Sequence, residues 1–451
     1  MATILAMASL AVACADATSP VPEDAPNVVL IIVDDLRWDA VGSLAPASLS
    51  TPSIDRLANE GITFDQAFVV QSVCKPSRAS MFTGLYAHSH GVRTNVDDWT
   101  QKQKNIFRAM EVRGYRVGYV GKWHLGGKTP PDWADRWVSL SGQGEYVDPV
   151  LDIDGAAVPY SGHSIDALTE HAIRFVRAAG NQRFFLVLSH NAAHAPFVPQ
   201  DRWRGTVDPG SLEIPSSFYD DLSDQPAFLR ERAVVRNEST LRLTAEAYYE
   251  LVRGVDESVG RLLTALEDQG ILDQTLVILI GDNGYLLGEH HLLDKRVAFE
   301  ESMRVPLIVR YPPWFDGGEH SDGFALNVDL PATIMHAVTG RQEGFPSHFL
   351  PVPRVGIDQS LKLTADGAHR QAFLYEYFQD SRFPVTPTLR AVRTPEFKYV
   401  SYEDPAQIDE LYDLRSDPLE TRNLVGEEQY RQVLAALKLE LEDLRVATGD
   451  R

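Results

Sequence analysis

The segment CKPSRASMFTG, Cys74 to Gly84, sets a thiol where chemistry is possible. Pro76 suits the first turn of a helix and Gly84 its end, so Cys74 is expected at a helix N-terminus. Free backbone N–H groups and the helix dipole there favour anions, and Arg78, one turn on, reaches the same point. The pattern marks a reactive cysteine facing an oxyanion. The plain alternative is a buried apolar cysteine, a common core residue. Two acidic clusters add a second chemistry. Asp34 and Asp35 close the run VVLIIV, and Asp282 with Asn283 closes LVILIG. Each cluster supplies oxygen donors, and each could instead cap the helix after its strand.

These groups need a frame. VVLIIV (Val28–Val33), FFLVLS (Phe184–Ser189) and LVILIG (Leu276–Gly281) are continuous apolar runs with the length of buried parallel strands. Helical patterns lie between them at Ser164–Ala179 and Ala245–Gln269. Strand alternating with helix predicts an α/β fold. In such sheets the ligand site lies beyond the carboxyl ends of the strands, so the two acidic clusters are expected to converge. After about residue 365 the texture changes to short strand-like pieces, Gln371–Phe378, Leu389–Val392 and Phe397–Tyr402, followed by a helical stretch, Gly426–Arg445. That predicts a small antiparallel sheet with a terminal helix. The Pro-rich stretch Phe345–Arg354 reads as a connecting loop, and no repeat, heptad, Gly-rich nucleotide loop or zinc-type cysteine cluster occurs.

A chain of 451 residues suggests one large domain plus an appendage, and 44% hydrophobic with 23% charged residues is ordinary for globular proteins. The formal net charge of -21 argues against nucleic-acid binding and against adhesion to anionic membranes. An anionic ligand would need a local positive pocket built against that field. The first segment, MATILAMASLAVACADATSP, is apolar and too short to span a membrane; it reads as an export leader, although its start lacks Lys or Arg, which leaves a misassigned start or a disordered tail as the alternative. Cys14, in LAVAC, loosely matches a lipoprotein cleavage site. With the leader removed, Cys74 is the one cysteine left, and no disulfide within the chain is possible.

Cys-Xaa-Pro-Ser-Arg followed by Ala-Ser and Thr-Gly resembles the signature of the type I, formylglycine-dependent sulfatases of the alkaline phosphatase superfamily. The resemblance recurs in family order as VDDLRWD (Val33–Asp39), GKWHLG (Gly121–Gly126) and GDNGYLLGEHHLLDKR (Gly281–Arg296). With EESMRVPLIVRYP (Glu300–Pro312), it is most similar to bacterial carbohydrate sulfatases of the N-acetylglucosamine-6-sulfatase kind. It implies a large, mixed, mostly parallel sheet sandwiched by helices, with the antiparallel sheet and helix as a smaller C-terminal part. The domains are then an export leader (1–20), a catalytic domain (26–365) and a C-terminal subdomain (366–451).

The resemblance further implies that a formylglycine-generating maturation enzyme oxidises Cys74 to formylglycine. Its hydrated aldehyde then attacks sulfur, forming a sulfated-enzyme intermediate that collapses to expel sulfate. Asp34, Asp35, Asp282, the amide oxygen of Asn283 and the residue at position 74 would hold one hard divalent cation, calcium first and magnesium next. Arg78, Lys122 and Lys295 would supply the positive pocket, His124 the base for the diol's second hydroxyl, and His194, with Lys295 helping, the proton for the leaving alcohol. His190, one helical turn from His194, reads as a packed or wall residue. His88, His90, His290 and His291 read as wall, rim or structure, Asp39 as a surface or capping residue. Some sulfatases add a lysine and a serine after GKWHLG; neither has a clear counterpart here, Ser161 or Ser164 being a guess. The expected substrate is a small sulfated carbohydrate cut exo-wise, because -21 argues against tracking along a sulfated polymer. The expected location is periplasmic or extracellular, with no stable membrane span. Two rivals stand: a phosphonate monoester or phosphodiester hydrolase, and an unmatured, non-catalytic binding protein.

Overall fold

The computed structural model describes residues 21–100, 104–127, 129–233, 235–341 and 359–450. The leader with Cys14 and the Phe345–Arg354 stretch lie outside the described residues. All three apolar runs are strands of one ten-stranded sheet. Its spatial order is Glu319–Ser321, Ile62–Phe64, Leu307–Arg310, Thr275–Gly281, Asn27–Val33, Phe184–His190, Arg116–Lys122, Arg136–Leu140, Val150–Ile153 and Ala156–Pro159. The strands from Thr275–Gly281 through Arg136–Leu140 pair in parallel, and antiparallel pairs flank them.

The central strand shows why its run is unbroken. Val29, Ile31 and Val33 pack into a core shared with the helices Pro52–Asn59, Ser164–Ala179 and Glu238–Asp268. Val28, Leu30 and Ile32 pack into the opposite core, against the helices Cys74–Thr83, Ile106–Val112 and Leu330–Thr339. Both faces are covered, so both alternate sets must be apolar. The sequence pattern placed Ser164–Ala179 correctly, but the long helix starts at Glu238 and runs to Asp268. Its first two turns were missed because Glu238 to Thr244 is mostly polar, though Asn237 caps it by accepting from the Thr240 N–H (3.0 Å).

The C-terminal part is a four-stranded antiparallel sheet, Phe373–Tyr377, Leu389–Arg393, Phe397–Tyr402 and Glu410–Asp413, with the helix Arg431–Thr448. The last strand carries no run long enough to reveal it, and the helix begins five residues later than expected. One face of this sheet shares a core with Phe68, Val70 and Val73, directly before Cys74. The Tyr375 hydroxyl also donates to Ser72 Oγ (3.0 Å). Among the described residues no helix is long and apolar enough to cross a membrane.

Candidate active site

Asp34 and Asp35 follow the central strand, Asp282 and Asn283 the strand beside it, and Lys122 ends the Arg116–Lys122 strand, so three strands deliver their polar ends to one place. Cys74 enters from below as the first residue of its helix, every residue of which is buried. The Asp34 N–H donates to Ala192 O and the Asp282 N–H to Val33 O, tying the loops together. Gly121 has φ +127, and a Cβ there would meet Ser189 O at 1.8 Å. Only glycine lets the strand approach Phe184–His190 closely enough to set Lys122 in the site. Asp35 (φ 55) and His124 (φ 57) hold left-handed backbone, a conformation that costs a side-chain-bearing residue about 1–2 kcal/mol.

The ligand atoms of Asp34, Asp35, Cys74 and Asp282 lie within 4.8 Å of one another, all buried. Cys74 Sγ is 3.4 Å from Asp34 Oδ1 and 2.8 Å from Lys295 Nζ. Lys122 Nζ pairs with Asp34 Oδ2, and Lys295 Nζ with Asp35 Oδ1. Arg78 donates from Nε to Asp282 Oδ2 (2.9 Å) and from Nη1 to Lys122 O (2.7 Å) and Ser189 Oγ (2.5 Å); its Nη2 is buried without a hydrogen-bond partner, 4.0 Å from Asp34. Asn283 Nδ2 donates to Asp35 Oδ1 (2.6 Å) and Gly284 O (2.8 Å), which leaves Asn283 Oδ1 buried and unpartnered. Three carboxylates and an orphaned amide oxygen form a donor set for a hard cation such as calcium or magnesium.

Charge within the cluster is apportioned unequally. Burial by itself would raise Asp34, but Lys122, His194, Arg78 and Lys295 hold it well below the usual carboxylate range. Burial and the neighbouring Asp34 charge push Asp282 up to about 7 against the pull of Arg78 and both lysines. Burial would lower Lys295, but Asp35 and Cys74 raise it well above its ordinary value, so it stays cationic. The Cys74 thiol is held neutral by its surroundings. Burial pushes it up to about 12, outweighing Lys122 and Lys295. No solvent reaches the sulfur, and Asp34 and Asp282 beside it add to the rise.

His124 sits at the edge with its Nδ1 buried and unpartnered, and burial together with Lys122 and Arg78 lowers it to about 2. His194 Nδ1 faces the Ala195 carbonyl (2.5 Å), which can only accept, so the proton resides there and Nε2 faces Asp35 Oδ2 at 3.9 Å. Burial lowers His194, opposed by Asp35 and Asp34. His190 is not a helical turn from His194: it ends a strand and His194 lies in the following loop. It is fully buried with Nε2 on Ser258 Oγ (2.9 Å), a packed residue.

The other polar residues singled out lie elsewhere. Asp39 grips Arg37, His88 pairs with Glu376 (2.7 Å), and His90 meets Ser80 (3.1 Å). His290 pairs with Asp220 (2.8 Å) and stacks on Phe299, and His291 meets Val235 O and Asp220 O. Ser164 Oγ donates to Asn191 Oδ1 (3.0 Å). Sequence reasoning missed the hydroxyls that steady the site. Tyr119 donates to Lys122 O (2.6 Å), Tyr248 to Asp35 O (2.8 Å) and Tyr146 to His194 O (2.6 Å). Only Ser189, the one polar residue closing FFLVLS, carried a visible signal.

Residues 26–340 match the family model described as sulfatase. The chain belongs to the sulfatase family. It is an enzyme of sulfate-ester hydrolysis, and residues 288–447 also match the model described as N-sulphoglucosamine sulphohydrolase, C-terminal. The chain is 27% identical to the N-acetylglucosamine-6-O-sulfatase of Bacteroides thetaiotaomicron, across 96% of this chain and 89% of that protein. It is 25% identical to the human N-acetylglucosamine-6-sulfatase, across 91% and 84%. Among solved structures, BT4656 in complex with its substrate D-glucosamine-2-N,6-O-disulfate superposes with a TM-score of 0.86 at 27% identity, covering 95% of this chain and 99% of that one.

Proposed function

We propose that this sulfatase removes sulfate from a small sulfated carbohydrate, with N-acetylglucosamine 6-sulfate as the leading substrate and exo action at a chain end. One observation carries the site assignment: Cys74 is enclosed by Asp34, Lys295 and the acid cluster, with Asn283 Oδ1 left without a partner. The relative named for 6-O-sulfate removal, aligned along nearly the whole chain, supports the sugar.

In this reading Cys74 is oxidised by a formylglycine-generating enzyme, so oxygen atoms stand where Sγ stands here. The hydrated aldehyde supplies the nucleophilic hydroxyl. Asp34, Asp35, Asp282, Asn283 Oδ1 and position 74 would hold a calcium ion, which would supply fixed positive charge for the sulfuryl oxygens. Arg78 is immobilised by three donated bonds and keeps Nη2 for the sulfate. Lys122 and Lys295 close the cationic wall, and such preorganised charge is the largest catalytic contribution in many enzymes. His124, held neutral, accepts the proton of the second hydroxyl. His194 presents Nε2 to the leaving oxygen as its proton donor, with Asp35 and Asp34 opposing the burial that lowers its affinity for the second proton. Residues 26–365 are the catalytic domain, 366–451 the C-terminal subdomain and 1–20 an export leader, with Cys14 the candidate lipid attachment point in a periplasmic or extracellular enzyme.

The test is co-expression with a formylglycine-generating enzyme, then sulfate release from N-acetylglucosamine 6-sulfate, an aryl sulfate and a phosphonate ester, with Cys74→Ala as control. Release from the sugar that vanishes in the control is expected. Preferential phosphonate turnover refutes the reading.

A further inference from the structure

The loop between the first two strands of the C-terminal sheet is tied to the segments that flank Cys74 and Lys295, and the chemistry gives it no role. It is fastened on two sides of Cys74. Asp380 Oδ2 accepts from the Asn95 N–H (3.1 Å), and Asn95 Oδ1 accepts from the N–H of Lys75, the residue after Cys74 (3.1 Å). On the other side the Phe383 ring lies against Arg296, with the guanidinium carbon 3.5 Å from its centroid. Arg296 directly follows Lys295, whose Nζ touches Cys74. The loop is stiff: Phe383 N–H donates to Asp380 O (2.8 Å), Thr386 N–H to Phe383 O (3.2 Å), and Gln379 Nε2 to Pro384 O (2.6 Å). Arg93 and Arg390 both lie over the Phe378 ring, a second clamp between this loop's strand and the 93–98 segment. Despite these anchors, Phe383 is 37% exposed, with Val385 (42%) and Val96 (44%) exposed nearby in sequence to the same anchor points. An aromatic ring held against a buried cation yet partly exposed, on a loop tied to the chain neighbours of Cys74 and Lys295, has the form of a stacking platform.

We propose that Phe383 is a specificity-determining residue that stacks on the apolar face of the pyranose ring bearing the sulfate, so that the C-terminal subdomain selects a sugar over a plain alkyl sulfate. This rests on the carbohydrate reading above. Stacking engages ground state and transition state alike, so its loss is expected in KM and not in kcat. The experiment uses the matured enzyme, N-acetylglucosamine 6-sulfate and a short alkyl sulfate, with Phe383→Ala, Phe383→Tyr and wild type. Phe383→Ala is expected to raise KM for the sugar about tenfold with kcat within about twofold, to leave kcat/KM for the alkyl sulfate unchanged, and Phe383→Tyr to restore the sugar KM. An unchanged sugar KM in Phe383→Ala overturns this assignment and leaves the carbohydrate reading intact. Equal losses on both substrates, without rescue by Tyr, would show a structural role and overturn it too. Wild type that hydrolyses the alkyl sulfate and ignores sugar sulfates overturns the carbohydrate reading and this assignment together.

Discussion

Replacing Arg78 by Met probes how the buried charges of the site are balanced. The substitution deletes three donated hydrogen bonds, to Asp282, Lys122 O and Ser189. At about 1 kcal/mol each, that is a loss of ~3 kcal/mol at any pH. The rest of the effect depends on pH. Asp282 has its folded pKa raised from 3.8 to about 7, by burial first and then by Asp34. A raised acid contributes stability that is present below 3.8 and lost as pH climbs to the folded value. In the wild type this loss ends near 7. Without Arg78, one of the cations that restrain Asp282, the folded pKa moves higher still and the loss continues. The difference between wild type and variant is therefore flat below pH 7 and grows above it by up to ~1.4 kcal/mol per pH unit. The assay is urea unfolding of unmatured protein in EDTA at pH 6, 7 and 8.5. Arg78→Met/Asp282→Asn, with no ionisable partner left, is expected to lose the pH-dependent part. A penalty equal at pH 6 and 8.5, or a double variant with the same slope, refutes the charge-balance argument.

Three further outcomes follow from the same geometry. Calcium should raise the melting temperature of EDTA-treated protein, and Asn283→Ala should need about tenfold more calcium or greater for the same shift; identical titrations would remove Asn283 from the metal site. Lys398→Met strips a buried ammonium from Glu300 (2.8 Å), Glu420 (2.7 Å) and Ala298 O (2.7 Å), so a loss of about 3–5 kcal/mol is expected, with hydrogen exchange rising first in residues 373–413; uniform exchange would contradict a local anchor. Glu301 is raised from 4.5 to about 8 by burial and by Glu289, so the stability it contributes below 4.5 drains as pH rises towards 8. Glu301→Gln should gain in melting temperature relative to wild type between pH 5.5 and 8.5, and a constant difference would falsify the assignment.

Much of this site was legible because its residues close apolar runs. Asp34, Asp35 and Asp282 stand at the ends of strands whose hydrophobicity is continuous, and the rule for ligand sites in such sheets brings them together. Lys122 was legible only through the family pattern: its strand, RVGYVGK, is broken by two glycines, one of which is there to let the backbones approach. Tyr119, Tyr146 and Tyr248 were not legible at all, because a buried tyrosine that donates to a backbone carbonyl looks in sequence like any core aromatic. The thiol's surroundings were hidden for a related reason. Helix position can be read from Pro76 and Gly84, whereas the burial that dominates the thiol's rise, and the carboxylates beside it, depend on segments 40 and 208 residues away.

The global charge of -21 and an anionic substrate are compatible because they act over different ranges. Surface charges are screened beyond roughly 8 Å at physiological ionic strength, whereas charges within a buried site meet a lower dielectric and little salt. Within that site Asp34, Asp35 and Asp282 are balanced by Arg78, Lys122 and Lys295. Three against three leaves a formally neutral cluster, and a divalent cation would tip it to a formal +2. The carboxylates that look hostile to sulfate thus have a double use: they would hold the metal, and their ion pairs fix two lysines and an arginine in a buried place where unpaired cations are costly.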